Sequence, residues 1–259
     1  KTLETWNDVV IRVMEGVLSI RKDWCMKHYL PWDEAFWDHY SIGMALSLFN
    51  MKWTPPGRGL WTMGSDFVYE RGSMALQNCG FTNVEDSIGE DCHWMMDALM
   101  CGVGVGFNPI RNDDIKVYHP SDKERTFVIQ DTRESWCDSV RERINSFLYS
   151  GSQTVNFDYS LIRPEGEPIN GFGGLASGPE PLKELHKQID TFFNLYLHDK
   201  YYDSVLLKSD ISNAIGCCVV AGNVRRSAEI CCGDINDDTF LDLKDYKKYP
   251  HREAFGWMS

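Results

Sequence analysis

No stretch of this sequence approaches the roughly 18 consecutive apolar residues that a membrane-spanning helix needs. The opening Lys1-Thr-Leu-Glu-Thr-Trp6 also lacks the apolar core of a secretory leader. A soluble, cytosolic protein with no membrane partner is therefore expected. Cys-x-x-Cys occurs nowhere, no cysteines and histidines fall at zinc-ligand spacing, and the cysteine count, nine, is odd. These absences exclude a secreted disulfide framework and a structural zinc site, and most of the thiols are expected to be buried apolar groups. Positive charge is scarce: 26 Lys and Arg stand against 38 Asp and Glu, a formal charge of −12. Phosphate backbones are gripped by clustered cations that release counterions, so a nucleic-acid polymer is not an expected partner. Single nucleotides remain open, because backbone amides at helix starts and a few arginines suffice for them. Internal repeats and low-complexity tracts are missing as well.

What is present is a chain of 259 residues, 43% of them hydrophobic, long enough to bury a substantial core. Thr5 can cap a helix whose apolar positions Trp6, Val9, Val10, Val13, Val17 and Leu18 recur every three or four residues. Pro31 opens a second helical segment carrying Phe36, Trp37, Tyr40, Met44 and Leu48. Thr54-Pro-Pro-Gly-Arg-Gly59 breaks the pattern. Beyond residue 60, short apolar runs alternate with helical stretches. Strands are predicted at Gly102–Phe107, Thr154–Phe157 and Arg226–Cys231, and helices at Thr132–Leu148, Pro181–Leu197 and Lys208–Ala221. That alternation is the texture of an α/β fold. Asn112–Arg125 is polar and reads as a surface loop or small insertion. The chain starts directly in a helix start and stops just after a charged stretch, so both ends are expected to be cuts.

Several motifs invite a chemical reading. Gly102-Val-Gly104-Val-Gly106-Phe107 is a glycine-dense strand candidate that fails as a dinucleotide fingerprint, since a third glycine would fall at Phe107 or Pro109. Glycine inside a strand marks close approach of a backbone or a ligand. Gly171-Phe-Gly-Gly174-Leu-Ala-Ser-Gly178 feeds a helix near Pro181. Its small residues and the helix start suit a phosphate or a base edge, and they suit equally a plain connecting turn. Nothing adjacent to Cys79 lowers a thiol pKa, so residue chemistry alone makes it a structural cysteine. Arg225-Arg226 with Glu229 suggests an ion-paired junction or an anion contact, and Arg163-Pro-Glu-Gly-Glu167 is a turn whose arginine can meet a phosphate.

In their order along the chain, these motifs resemble the large subunit of ribonucleotide reductases. The resemblance is carried by Pro55-Pro-Gly-Arg-Gly-Leu-Trp-Thr-Met-Gly-Ser65, Ala75-Leu-Gln-Asn-Cys79, Gly102–Phe107, Asp131-Thr-Arg-Glu-Ser-Trp136, Ile162-Arg-Pro-Glu-Gly-Glu-Pro-Ile169, Gly171–Pro179 and Val220-Ala-Gly-Asn-Val-Arg-Arg-Ser-Ala-Glu-Ile230. Each match is weak by itself, and their collinearity is what makes the signal specific. The wording of the last two is closest to the adenosylcobalamin-dependent, triphosphate-reducing branch. In that family a thiyl radical abstracts the ribose 3′-hydrogen, the 2′-hydroxyl leaves as water, and two cysteines supply two electrons as they become a disulfide. A thioredoxin-like reductant resets that disulfide by exchange. The resemblance makes Cys79 the first cysteine of the pair. It places Ser65 and Asn78 against substrate phosphates and ribose, and gives Gly104 and Gly106 a substrate-lining role. It puts Gly173, Gly174, Ala176, Ser177 and Gly178 in the loop that carries the identity of a deoxynucleoside triphosphate effector to the ribonucleotide substrate, with Arg163 as an effector-phosphate contact.

The fold so implied is a helical lead-in over residues 1–53, followed over 54–259 by the N-terminal part of a ten-stranded α/β barrel. The sequence departs from the family in one respect: the radical loop Asn-x-Cys-x-Glu occurs nowhere in it. The chain by itself is therefore expected to be catalytically incomplete. The stretch from Phe107 to Asp131 is shorter than the insertion of monomeric members, which leaves the oligomeric state open. Two alternatives stand beside the cobalamin reading: a large subunit fed by a separate metal-radical protein, and a nucleotide-binding remnant without chemistry.

Overall fold

In the computed structural model, residues 3–169, 175–221 and 227–259 are described. The chain divides into two units, residues 1–78 and 79–259. In the first, α1 (Trp6–Lys27) starts at Thr5 with a complete capping box, the Thr5 side chain accepting from the Asp8 amide and the Asp8 carboxylate accepting from Thr5. The helix packs against α2 (Glu34–Phe49), which Asp33 caps, through a core of Val10, Val13 and Leu48 with Trp6, Val9, Ala45, Trp53, Leu60 and Met63 around it. Val17 is half-exposed, and of α2 only Leu48 is buried, leaving Phe36 and Tyr40 outside the core. The short helices α3 (Gly57–Thr62) and α4 (Asp66–Arg71) and the 3-10 turn Gly72–Leu76 complete this unit. Among the described residues strands begin only at Cys79, and residues 54–78 fall in the same unit as the lead-in helices.

The second unit is an α/β assembly of two parallel sheets. One has the order β1 (Cys79–Val84), β2 (Gly104–Pro109), β5 (Glu229–Cys231). The other pairs β3 (Ser121–Val128) with β4 (Gln153–Asp158). Parallel neighbours need crossovers, and α5 (Ile88–Met100) and α6 (Arg133–Leu148) supply them between β1 and β2 and between β3 and β4. Thr132 caps α6 by accepting from the Ser135 amide. Amphipathic α7 (Glu180–His198) covers α8 (Ser204–Val220), which is buried almost all round and carries apolar residues on every side, as a central helix must. The expected surface loop at 112–125 holds most of β3, whose Ser-Asp-Lys-Glu-Arg start gives no apolar signal. Residue 226, expected to open a strand, lies outside the described residues, and β5 runs over Glu229–Cys231. Among the described residues, no helix is long and apolar enough to cross a membrane.

Candidate functional site

The register of the three-stranded sheet fixes which side chains share a face. Cys79 stands beside Gly104, Phe81 beside Gly106 and Asn83 beside Asn108, while Gly106 pairs across with Ile230. Successive residues point to opposite faces. One face, carrying Val84, Val105, Phe107 and Glu229, is buried. The other stays open, with Phe81 56% and Ile230 61% exposed and Cys79 and Cys232 exposed. A Cβ on Gly106 would stand 2.7 Å from the Phe81 ring, so the glycine is what lets Phe81 and Ile230 close over the middle strand. Of the nine cysteines, none is disulfide-bonded and only two are exposed, Cys79 and Cys232. Burial pushes the Cys92 and Cys137 thiols up, which suits inert packing groups.

Cys79, Gly104 and Gly106 thus come together on one open face. Asn78 directly precedes Cys79 in the chain and is exposed. Ser65 lies in the other unit, at the start of α4, with its hydroxyl donating to the Thr62 carbonyl at 2.5 Å. Gly173 and Gly174 lie outside the described residues, as do Arg225 and Arg226. The segment around Gly173 and Gly174 has a described base. Pro168 and Leu175 form an antiparallel bridge, the Ala176 amide donates to Glu167 O at 2.7 Å, and the Gly166 amide donates to Ala176 O at 3.0 Å. Ala176 is buried, the Ser177 hydroxyl reaches the Gly178 carbonyl at 3.5 Å, and Gly178 takes a positive φ of 71° against Glu165. Arg163 gives Nε to Asp131 Oδ2 at 2.7 Å and Nη1 to Pro168 O at 3.1 Å, so its guanidinium pins this base to the start of α6.

Three polar clusters escaped the sequence reading. Arg111 holds Asp237 with two hydrogen bonds of 2.7 Å, and Asp113 and Asp203 at 2.9 and 3.0 Å. The bonds that Arg111 donates to Asp237, then those to Asp113 and Asp203, hold the guanidinium charged against its desolvation and push its pKa up. A cavity of about 790 Å³ at the carboxyl ends of β2 and β5 opens beside it, lined among others by Asn108, Asp203 and Phe240. His186, 2% exposed, lies between Ser139 and Tyr159 and stacks on Phe157 at 4.0 Å. Ser139 donates to Trp136 O, which assigns the ring proton to Nε2 and leaves Nδ1 to accept from the Tyr159 hydroxyl. Burial, assisted by the Arg143 charge, depresses the His186 pKa to about 3. The third cluster centres on buried Asp210 and Arg252. All three join residues far apart in sequence, so no spacing announces them. Among the described residues, no group of three or more His, Cys, Asp or Glu could hold a metal ion.

Two family models match. The ribonucleotide reductase alpha domain covers residues 1–65, and the insertion domain of B12-dependent ribonucleotide reductase covers residues 110–193. The second takes in β3, α6, β4 and most of α7, far more than the polar stretch 112–125. A probable adenosylcobalamin-dependent ribonucleoside-triphosphate reductase of Dictyostelium discoideum is 37% identical across 100% of this chain. The adenosylcobalamin-dependent ribonucleoside-triphosphate reductase of Euglena gracilis is 40% identical across 99%. The chain spans 36% of the length of each. A crystal structure of a B-12 dependent (class II) ribonucleotide reductase superposes with a TM-score of 0.76 at 25% identity, over 99% of this chain and 42% of that one.

Proposed function

The chain belongs to the ribonucleotide reductases, and from that premise we propose that its protein reduces ribonucleoside triphosphates to 2′-deoxyribonucleotides for DNA synthesis, in the adenosylcobalamin-dependent manner of its relatives. The observation that carries this reading is the register that sets Cys79, exposed, on the open face of a parallel sheet beside Gly104 and Gly106. Reduction replaces a ribose C–O bond with C–H and releases water. Two thiols give up two electrons and two hydrogens for it and join as a disulfide, and Cys79 is one of them. A thioredoxin-like dithiol then returns the pair to the reduced state. Gly104 lines the sugar beside Cys79, and Gly106 shapes the same face by letting Phe81 and Ile230 close over the strand. Ser65 and Asn78 serve the phosphates and ribose.

Adenosylcobalamin brings its cobalt inside its own ring, so it asks the protein for apolar enclosure rather than for a cluster of metal-binding side chains. Exposed Phe81 and Ile230 are this chain's residues that fit that need. When bound, the cofactor supplies the radical that starts the reaction. The three-stranded sheet belongs, on this reading, to the N-terminal part of a ten-stranded barrel occupying residues 54–259, with the insertion domain inside it and residues 1–53 as helical lead-in. Residues 173–178 couple a deoxynucleoside triphosphate effector to the substrate base, with Arg163 at the base of that loop, and the protein acts in the cytoplasm. Since Asn-x-Cys-x-Glu is missing from the sequence, residues 1–259 alone should not turn over.

The test is deoxyribonucleotide formation by the full-length protein, with and without adenosylcobalamin, for wild type and Cys79→Ser. Turnover that needs the cobalamin and that Cys79→Ser abolishes under dithiol recycling is the expected result. Full multiple turnover by Cys79→Ser would sink the assignment of that thiol, and activity only beside a separate radical protein would sink the cofactor.

A further inference from the structure

Helix α3 has six residues, too few to hold itself by its own hydrogen bonds. The carbonyls of its last turn need partners from elsewhere. Arg12, on α1, provides them: Nη2 donates to Leu60 O at 2.9 Å and Nη1 to Met63 O at 2.5 Å. Two further donors go to Glu4, Nε to Oε1 at 2.7 Å and Nη2 to Oε2 at 3.0 Å. The bond from Arg12 keeps the Glu4 carboxylate below its ordinary pKa, so Glu4 stays an anionic acceptor. Directly after the clamped carbonyls the backbone turns at Gly64, with φ +74°. A Cβ there would lie 2.2 Å from Arg12 O, and one on Gly16 would lie 2.4 Å from Gly64 N. Backbone therefore rests on backbone at this corner, and the residue it delivers next is Ser65.

We propose that Arg12 is the positioning residue of the Ser65 turn: by holding Leu60 O and Met63 O on α1 it fixes where the Ser65 hydroxyl stands, and that hydroxyl, which donates to Thr62 O in this structure, turns its proton to the substrate's phosphate group when substrate binds. This rests on Ser65 being a substrate contact. Arg12 itself touches no substrate, and only a planar fork spans Glu4 and two carbonyls together; a lysine ammonium cannot.

The experiment measures kcat and KM for a ribonucleoside triphosphate with the full-length protein carrying Arg12→Lys, Glu4→Gln, Ser65→Ala and the double substitution Arg12→Lys/Ser65→Ala. Ser65→Ala should raise KM about tenfold with little change in kcat, the pattern of lost substrate binding. Arg12→Lys should raise KM similarly, Glu4→Gln more weakly, and the double variant no further than Ser65→Ala alone. Glu4 is exposed, so its variant should melt with wild type and keep the test open if Arg12→Lys folds poorly. Should Ser65→Ala leave KM unchanged, the phosphate reading of Ser65 fails and the positioning role with it. Should Ser65→Ala raise KM while Arg12→Lys and Glu4→Gln do not, or multiply with it independently, the reading of Ser65 survives and the positioning role is overturned.

Discussion

At the scale of single residues, His186 shows how burial sets protonation. An imidazole in the unfolded chain takes up its proton near pH 6.5, whereas the folded site resists down to about 3. Between those values the unfolded state binds more protons, so stability rises with pH there. The contribution is fully present above pH 6.5 and is lost as the pH falls toward 3, by an amount on the order of a few kcal/mol. Urea unfolding at pH 7.5 and pH 4.5 should show a large drop for the wild type and a smaller one for His186→Gln; equal drops would place the acid sensitivity elsewhere. A second expectation concerns the hydroxyl that satisfies Nδ1. Tyr159→Phe leaves that buried acceptor bare and should cost about 1–3 kcal/mol at neutral pH. Cys79 presents the opposite situation, because its surroundings give no chemical mark. The role proposed for it was legible only through the order of motifs around it, and the structure adds that it is one of two exposed thiols.

At the scale of elements, a substitution at Gly106 would separate stability from the function proposed for that glycine. A methyl placed there meets the Phe81 ring at 2.7 Å. That ring is more than half exposed and can swing outward, while replacing a strand glycine recovers roughly 0.5–1 kcal/mol of backbone entropy. Gly106→Ala should therefore leave the melting temperature nearly unchanged and raise the KM of the full-length protein for its nucleotide. A substantial loss of stability with KM intact would make the glycine a packing residue alone. Among the helices the sequence announced, α1 behind Thr5 and α6 behind Thr132 join a side-chain cap to a periodic face, α7 shows by its wide apolar stripe without a side-chain cap, and α2 and α8 show by their apolar content. The elements it hid have physical excuses. β1 is open on one face and holds a glycine and an asparagine, so only Val84 is fully buried. The first five residues of β3 are polar, because its sheet has just two strands and leaves most of them near solvent. The site face followed from register, which pattern cannot give before the strands are paired.

At the scale of the larger unit, one buried polar network ties the sheet to the last residues of the chain. Glu229 of β5 accepts from Asn213 of α8 at 3.2 Å, and Asn213 in turn accepts from Arg252 at 3.0 Å. Arg252, 1% exposed, also gives Nε to Asp210 at 2.6 Å and Nη1 to the Leu243 carbonyl. Asp210, wholly buried, further accepts from the Tyr202 hydroxyl at 2.7 Å and meets His251 at 2.9 Å. Burial, with the Asp210 charge second, pushes the Tyr202 phenol far above its ordinary pKa, so it stays a donor. None of this was visible beforehand, since Asp210 and Arg252 stand 42 residues apart. Removing one member of such a pair strands a charge, whereas removing both exchanges a desolvated ion pair for apolar contact. Arg252→Leu should accordingly cost about 3–5 kcal/mol in chemical denaturation. Asp210→Leu added to it should restore part of that loss, because the carboxylate no longer has to be buried without its arginine. A double variant as unstable as the sum of the two single variants would mean that the residues contribute separately. In that case the 3-10 segment Pro250–Ala254 would be held to α8 by its packing, not by this network.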